Sequence, residues 1–126
     1  MAVEQYVISV LVDDPGVLQA IALMLSSWGY LTELYPSAEE FLSAAATSEA
    51  ACAVIDIDLG EISGVDVAIR LAAMGFKLPI IFITESQDEK RRQQAMDFGG
   101  TAFLIKPFPA DRLSEAIRRA IGLKLN

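Results

Sequence analysis

Three aspartates, a threonine and a lysine stand directly behind short apolar runs. Asp13 and Asp14 follow Val7-Ile8-Ser9-Val10-Leu11-Val12, Asp56 closes Ala53-Val54-Ile55, Thr84 closes Ile80-Ile81-Phe82-Ile83, and Lys106 follows Ala102-Phe103-Leu104-Ile105. Carboxylates brought together repel one another and raise one another's pKa unless a cation offsets them. A hard divalent ion does so, and Mg²⁺ takes oxygen ligands, keeps several waters and admits a phosphate oxygen to its shell. A hydroxyl and an ammonium are the donors that a transferring phosphoryl group needs, and an ionised aspartate attacks without a base. The set therefore points to phosphoryl chemistry. Asp56 is the nucleophile, Asp13 and Asp14 hold the metal with the backbone carbonyl of Asp58, and Thr84 and Lys106 bind the remaining phosphoryl oxygens. Singly, each residue has a plain structural use: Asp14 as a helix cap, Thr84 as a β-branched strand residue, Lys106 as a loop charge before Pro107. The argument rests on their joint placement.

That chemistry requires all five residues to share one edge of the fold. Short runs rich in Val and Ile alternate five times with segments of helical period, the pattern of a parallel sheet wound with helices. Strands are expected at Tyr6–Val12, Leu31–Tyr35, Ala51–Asp56, Pro79–Thr84 and Ala102–Ile105. The first, third and fourth do not alternate with polar residues, so they belong in the middle of the sheet, buried on both faces. In a parallel sheet the carboxyl ends line one edge, where open sheets bind ligands. If the first and third strands are neighbours, a spacing of roughly 4.8 Å brings the three carboxylates together.

The helices carry their own punctuation. Asp14-Pro15 caps and opens the first, which ends at Trp28-Gly29; Ser37-Ala38-Glu39-Glu40 opens the second, Ser63-Gly64 the third, and Asp88 caps a fourth that stops at Gly99-Gly100. In the last, Leu113, Ala116, Ile117, Ala120 and Ile121 form one apolar stripe. The first helix is apolar almost all round, which predicts exposure of Leu23 and Met24 to a partner.

The 126 residues are 53% hydrophobic with a net charge of −7, and they read as one domain over residues 1–126. No apolar run approaches the roughly 18 residues that cross a bilayer. The opening residues, with Glu4, lack the basic and apolar parts of an export signal, so a cytoplasmic location away from the membrane is expected. With no histidine and the single Cys52 inside an apolar run, histidine and thiol catalysis are excluded. Residues 1–76 hold 11 acids and one base, residues 77–126 six acids and nine bases. The first part attracts cations, and the acidity of the whole argues against direct contact with nucleic acid.

Val12-Asp13-Asp14, Asp56 with Ser63-Gly64 behind it, Ile83-Thr84 and Phe103-Leu104-Ile105-Lys106-Pro107-Phe108 resemble the receiver domains of bacterial response regulators, over nearly the whole chain. The resemblance implies a flavodoxin-like α/β fold, a three-layer sandwich of five βα units with sheet order 2-1-3-4-5. It implies Asp56 as phosphoacceptor, Asp13 and Asp14 on Mg²⁺, and a sensor histidine kinase or phosphotransfer protein as donor, with the domain catalysing only its own phosphorylation and dephosphorylation. Thr84 and the aromatic Phe103 become the conformational relay, Lys106 reaches the phosphoryl group, and Pro107 is structural. The first helix becomes part of the kinase-docking surface. Output then passes through the fourth helix, fifth strand and fifth helix, where Lys90, Arg91, Arg92, Asp97, Arg112, Arg118 and Arg119 suit a homodimer. The tail of motifs is most similar to receivers that precede a helix-turn-helix output domain.

Two positions depart from the family pattern. Glu85 stands where the residue after the threonine is usually small, beside the phosphoryl entry route, and Asp58 adds an acid two residues after the nucleophile, with Gly60 in place of a frequent proline. Both acids should repel an anionic donor, slowing phosphoryl uptake and loss and raising metal affinity. They also prompt a second reading, a receiver-like scaffold that binds partners unphosphorylated. A third is a small phosphatase, because Asp56-Ile57-Asp58 resembles the acid pair of the haloacid dehalogenase family. Against it, that family places its paired acids after the lysine and adds a cap domain.

Overall fold

The computed structural model describes residues 5–60 and 62–125, with side chains described through residue 122. The opening stretch read as lacking an export signal therefore lies largely outside the described residues. Five strands and five helices alternate: β1 (Val7–Leu11), α1 (Pro15–Ser27), β2 (Leu31–Tyr35), α2 (Ala38–Ala44), β3 (Cys52–Asp56), α3 (Gly64–Ala73), β4 (Ile80–Thr84), α4 (Glu89–Asp97), β5 (Gly100–Ile105) and α5 (Ala110–Leu125). The strands form one parallel sheet of order β2-β1-β3-β4-β5, as expected.

Side-chain alternation divides the core between the two faces of the sheet. Ile8, Val10, Cys52, Val54, Ile81 and Ile83 face α1 and α5, where Leu18, Ile21, Leu25, Leu113 and Ile117 meet them. Leu11, Ala53, Ile55, Ile80 and Phe82 face the other way, against Phe41, Val65, Val67, Leu71 and Ala95. Full burial of an Ile, Leu or Phe contributes roughly 1.5–3 kcal/mol, so the two layers hold the sheet rigid behind its carboxyl edge. Ser9 is the polar exception on β1, and its hydroxyl donates to Glu33 Oε1 across the β1–β2 pair, 3.0 Å away.

The helix starts fall where their caps predict. Asp14 Oδ1 accepts from Gly16 N and Val17 N, Ser63 and Asp66 close a reciprocal capping box on α3, and Asp88 caps α4. One boundary differs from expectation. Gly99, at φ +89°, ends α4, but Gly100 already belongs to β5. The pairing of Ile80 with Gly100 and Ile81 with Ala102 leaves Thr101 as an extra residue, a bulge that lengthens β5 at its start. Of the two α1 residues expected to be exposed, Leu23 is (64%), whereas Met24 packs partly against the core. The solvated side of α1 thus carries Gln19, Ala20, Leu23, Ser26 and Ser27.

Candidate functional site

Asp56 is the last residue of β3, and its side chain is only 4% exposed at the carboxyl edge. A carboxylate so buried needs partners for both oxygens. Oδ2 lies 2.9 Å from Lys106 Nζ, and Oδ1 accepts from Asp58 N at 2.8 Å. Lys106 reaches it because its own backbone is tied to the end of β4, Lys106 N donating to the Thr84 carbonyl at 2.7 Å. Behind Asp56, the chain turns back into α3 so tightly that a Cβ on Gly64 would overlap the Asp56 carbonyl oxygen and crowd Ile55. Gly64 N donates to the Ile57 carbonyl, closing that turn.

Around this pair the other residues take separate positions. Asp13 is exposed on the loop after β1, where its Oδ2 accepts from Gly60 N at 3.0 Å and joins that loop to the one after β3. Asp14 uses one oxygen for the α1 cap, so its second is not needed there. Thr84, buried at the end of β4, accepts from Ser86 N and donates its hydroxyl proton to Asp58 Oδ2 at 2.9 Å. Glu85 N donates to the same oxygen at 3.0 Å, and Arg91 of α4 lies 3.5 Å from Asp58 Oδ1. The Glu85 side chain is exposed and lines a groove with Val17, Met24, Lys106 and Phe108. Phe103, paired in register with Phe82 on β5, is half-buried against the α2–α4 side of the core.

Residues 8–118 match the response regulator receiver domain family. The chain belongs to that family. It is 37% identical over 117 residues to the response regulator protein TodT of Pseudomonas putida, covering 93% of this chain and 52% of TodT. To the transcriptional regulatory protein FixJ of Rhizobium meliloti it is 31% identical, covering 91% and 56%. The receiver thus spans about half the length of the curated relatives it matches. Among solved structures, FixJ-N superimposes with a TM-score of 0.88 at 30% identity, covering 95% of this chain and 96% of that one. The receiver of a modulated diguanylate cyclase from Desulfovibrio desulfuricans follows at 0.84 and 35%, covering 96% and 97%. The receiver domain (CheY-like) from Methanospirillum hungatei, at 0.88 and 21% with 96% and 97% covered, shares the fold.

Receiver domains generally use Mg²⁺, and the donors here are of the right kind without forming a tight acidic cluster. Among the described residues no group of three or more Asp, Glu, His or Cys side chains lies close enough to hold an ion together. The expected convergence of Asp13, Asp14 and Asp56 is therefore looser than strand spacing alone predicts. One Asp14 oxygen turns to its cap, and Asp56 is paired with Lys106. Oxygen donors of the kind Mg²⁺ takes are present on Asp13, on the second oxygen of Asp14 and on Asp56.

One contact escaped the sequence, together with one longer-range charge effect. Arg91 reads as one of several charges on α4, yet its place in the first turn, three residues after the Asp88 cap, aims it at the loop carrying Asp58. Arg118, exposed on α5, also acts through its charge on the Tyr30 hydroxyl, offsetting part of the rise that burial imposes.

Proposed function

We propose that this receiver accepts a phosphoryl group on Asp56 from a sensor histidine kinase or phosphotransfer protein, in a Mg²⁺-dependent reaction, and switches conformation to control an output. The observation that carries the reading is the buried Asp56 carboxylate with the Lys106 ammonium on one oxygen and a backbone N–H on the other. An Asp56 oxygen attacks phosphorus, the donor's phosphorus–nitrogen bond breaks, and its electron pair leaves with the imidazole. Lys106 shifts from the carboxylate to a phosphoryl oxygen, and the Thr84 hydroxyl turns to another. Asp13, Asp14, Asp56 and the Asp58 carbonyl would hold Mg²⁺, which supplies charge neutralisation at the phosphoryl oxygens when bound. Phe103 follows Thr84 and alters the α4–β5–α5 surface, where Lys90, Arg91, Arg92, Asp97, Arg112, Arg118 and Arg119 serve a homodimer or another output contact.

Residues 1–126 act as a single cytoplasmic receiver unit, with no nucleic-acid contact by this segment. The domain modifies and restores only itself. The phosphatase reading loses support because Asp58, its acid/base candidate, is engaged by Thr84, Glu85 and Arg91. The scaffold reading gains one observation, that the Thr84 hydroxyl is already engaged. Acetyl phosphate separates the two. Intact mass should gain one phosphoryl group with Mg²⁺ and none after chelation or in Asp56→Asn; an unchanged mass with Mg²⁺ leaves the scaffold.

A further inference from the structure

Resting on that reading, we propose that Asp58 is a positioning residue that acts as a built-in anion, occupying the donors of the phosphoryl seat until Asp56 is modified. A hydroxyl, a backbone N–H and a guanidinium converge on this one carboxylate: Thr84 Oγ1 at 2.9 Å and Glu85 N at 3.0 Å on Oδ2, Arg91 at 3.5 Å on Oδ1. That is the donor set a phosphoryl oxygen calls for at this edge. The Thr84 hydroxyl is fixed twice, since it also accepts from Ser86 N. Simple repulsion of an incoming anion, the effect expected of Asp58 from its charge, is thus only part of its action.

The geometry also lets the carboxylate leave. Its side chain is 34% exposed, and Arg91 is 45% exposed, so both have water to turn into. Asp58 N remains on Asp56 Oδ1, which keeps the backbone in place while the side chain moves. Two consequences follow. Phosphorylation competes with an internal ligand for Thr84 and Glu85 N, and departure of that ligand frees Arg91 in the first turn of α4, coupling occupancy of the seat to the output helix.

Three variants test this in the full chain, with Asp58→Ala removing the internal anion. Asp58→Asn keeps an oxygen for Thr84 and Glu85 N but drops the ion pair, and Arg91→Ala drops the ion pair alone. With acetyl phosphate and saturating Mg²⁺, intact mass should show Asp58→Ala phosphorylated about tenfold faster than wild type, as loss of one or two competing hydrogen bonds implies. Asp58→Asn and Arg91→Ala should fall between. A second readout needs neither metal nor donor: the Thr84 methyl resonance and its three-bond couplings should report one rotamer in wild type and averaging in Asp58→Ala. Arg91→Ala, at an exposed side chain, keeps the test open if Asp58→Ala does not fold, and it should show partial averaging. An unchanged Thr84 rotamer, or no gain in rate over a phosphorylated wild type, overturns the proposal. If neither wild type nor Asp58→Ala gains mass, the phosphoacceptor reading fails instead, and the Thr84 resonance still decides whether Asp58 holds the hydroxyl.

Discussion

Lys106 and Asp56 form a 2.9 Å ion pair that joins the end of β5 to the end of β3, and its two members differ in exposure: 20% for the lysine side chain, 4% for the aspartate. The lysine stem is flexible and its ammonium has a path to water, whereas the carboxylate is almost wholly shielded. Each therefore depends on the other to a different degree.

That asymmetry predicts unequal costs. Lys106→Met leaves a buried carboxylate without its counter-ion and should lower stability by about 3–5 kcal/mol. Asp56→Asn lets the freed ammonium turn outward and should cost within about 1 kcal/mol. Urea unfolding of the two variants at neutral pH checks the order, and equal losses would contradict it.

Gly64 and Gly60 flank the same loop but face different surroundings. A Cβ at Gly64 would overlap the Asp56 carbonyl, whereas at Gly60 the nearest atom is Asp13 Oδ2 at 3.7 Å, an ordinary contact. Gly64→Ala should cost about 1–3 kcal/mol and slow phosphorylation by shifting the Asp56 backbone. Gly60→Ala should stay within about 1 kcal/mol of wild type. Thermal unfolding and the rate with acetyl phosphate measure both.

Cys52 is fully buried on the α1–α5 side of β3, and burial pushes its thiol up to about 12 from 9.0. The folded state thus holds the thiol proton that the unfolded chain releases first. The sign follows: below pH 9 the group adds no pH dependence, and between about 9 and 12 stability falls by up to about 1.4 kcal/mol per pH unit. Denaturation curves of wild type and Cys52→Ala should diverge in slope only in that window. At pH 8 the native thiol should resist alkylation that the urea-unfolded chain undergoes readily.

Leu23 projects from α1 with 64% exposure, while Leu25 on the same helix is fully buried. Leu23→Glu should change stability by about 0.5 kcal/mol or less, against about 2–5 kcal/mol for Leu25→Ala. If α1 docks the phosphodonor protein, Leu23→Glu slows transfer from that protein and leaves the rate with acetyl phosphate unchanged. Equal slowing with both donors would refute docking through Leu23.

The legible and illegible parts of this molecule divide along physical lines. β1, β3 and β4 could be read because strands buried on both faces do not alternate with polar residues, and α4 because Asp88 marks its start despite a polar sequence. Lys106 meets Asp56 as expected, since strand ends on one edge of a parallel sheet bring such residues together. The start of β5 was hidden because a glycine pair reads as punctuation, while the bulge at Thr101 depends on pairing with β4. The engagement of Thr84 by Asp58, and of Asp58 by Arg91, is a matter of side-chain rotamers in loops drawn from three elements. No periodicity records it. Asp14 shows the limit from the other side: its cap was legible beside Pro15, but one residue type suits both a helix cap and a metal, and the sequence does not divide its two oxygens between them.

The measurement that bears most directly on the whole account is the position of the phosphoryl group. Borohydride reduces an aspartyl phosphate to homoserine and leaves free carboxylates intact. After acetyl phosphate, Mg²⁺ and borohydride, peptide mass spectrometry should find homoserine at position 56 and aspartate at positions 13, 14 and 58. Aspartate persisting at 56, or homoserine at another of these positions, would contradict the assignment of Asp56 as the phosphoacceptor.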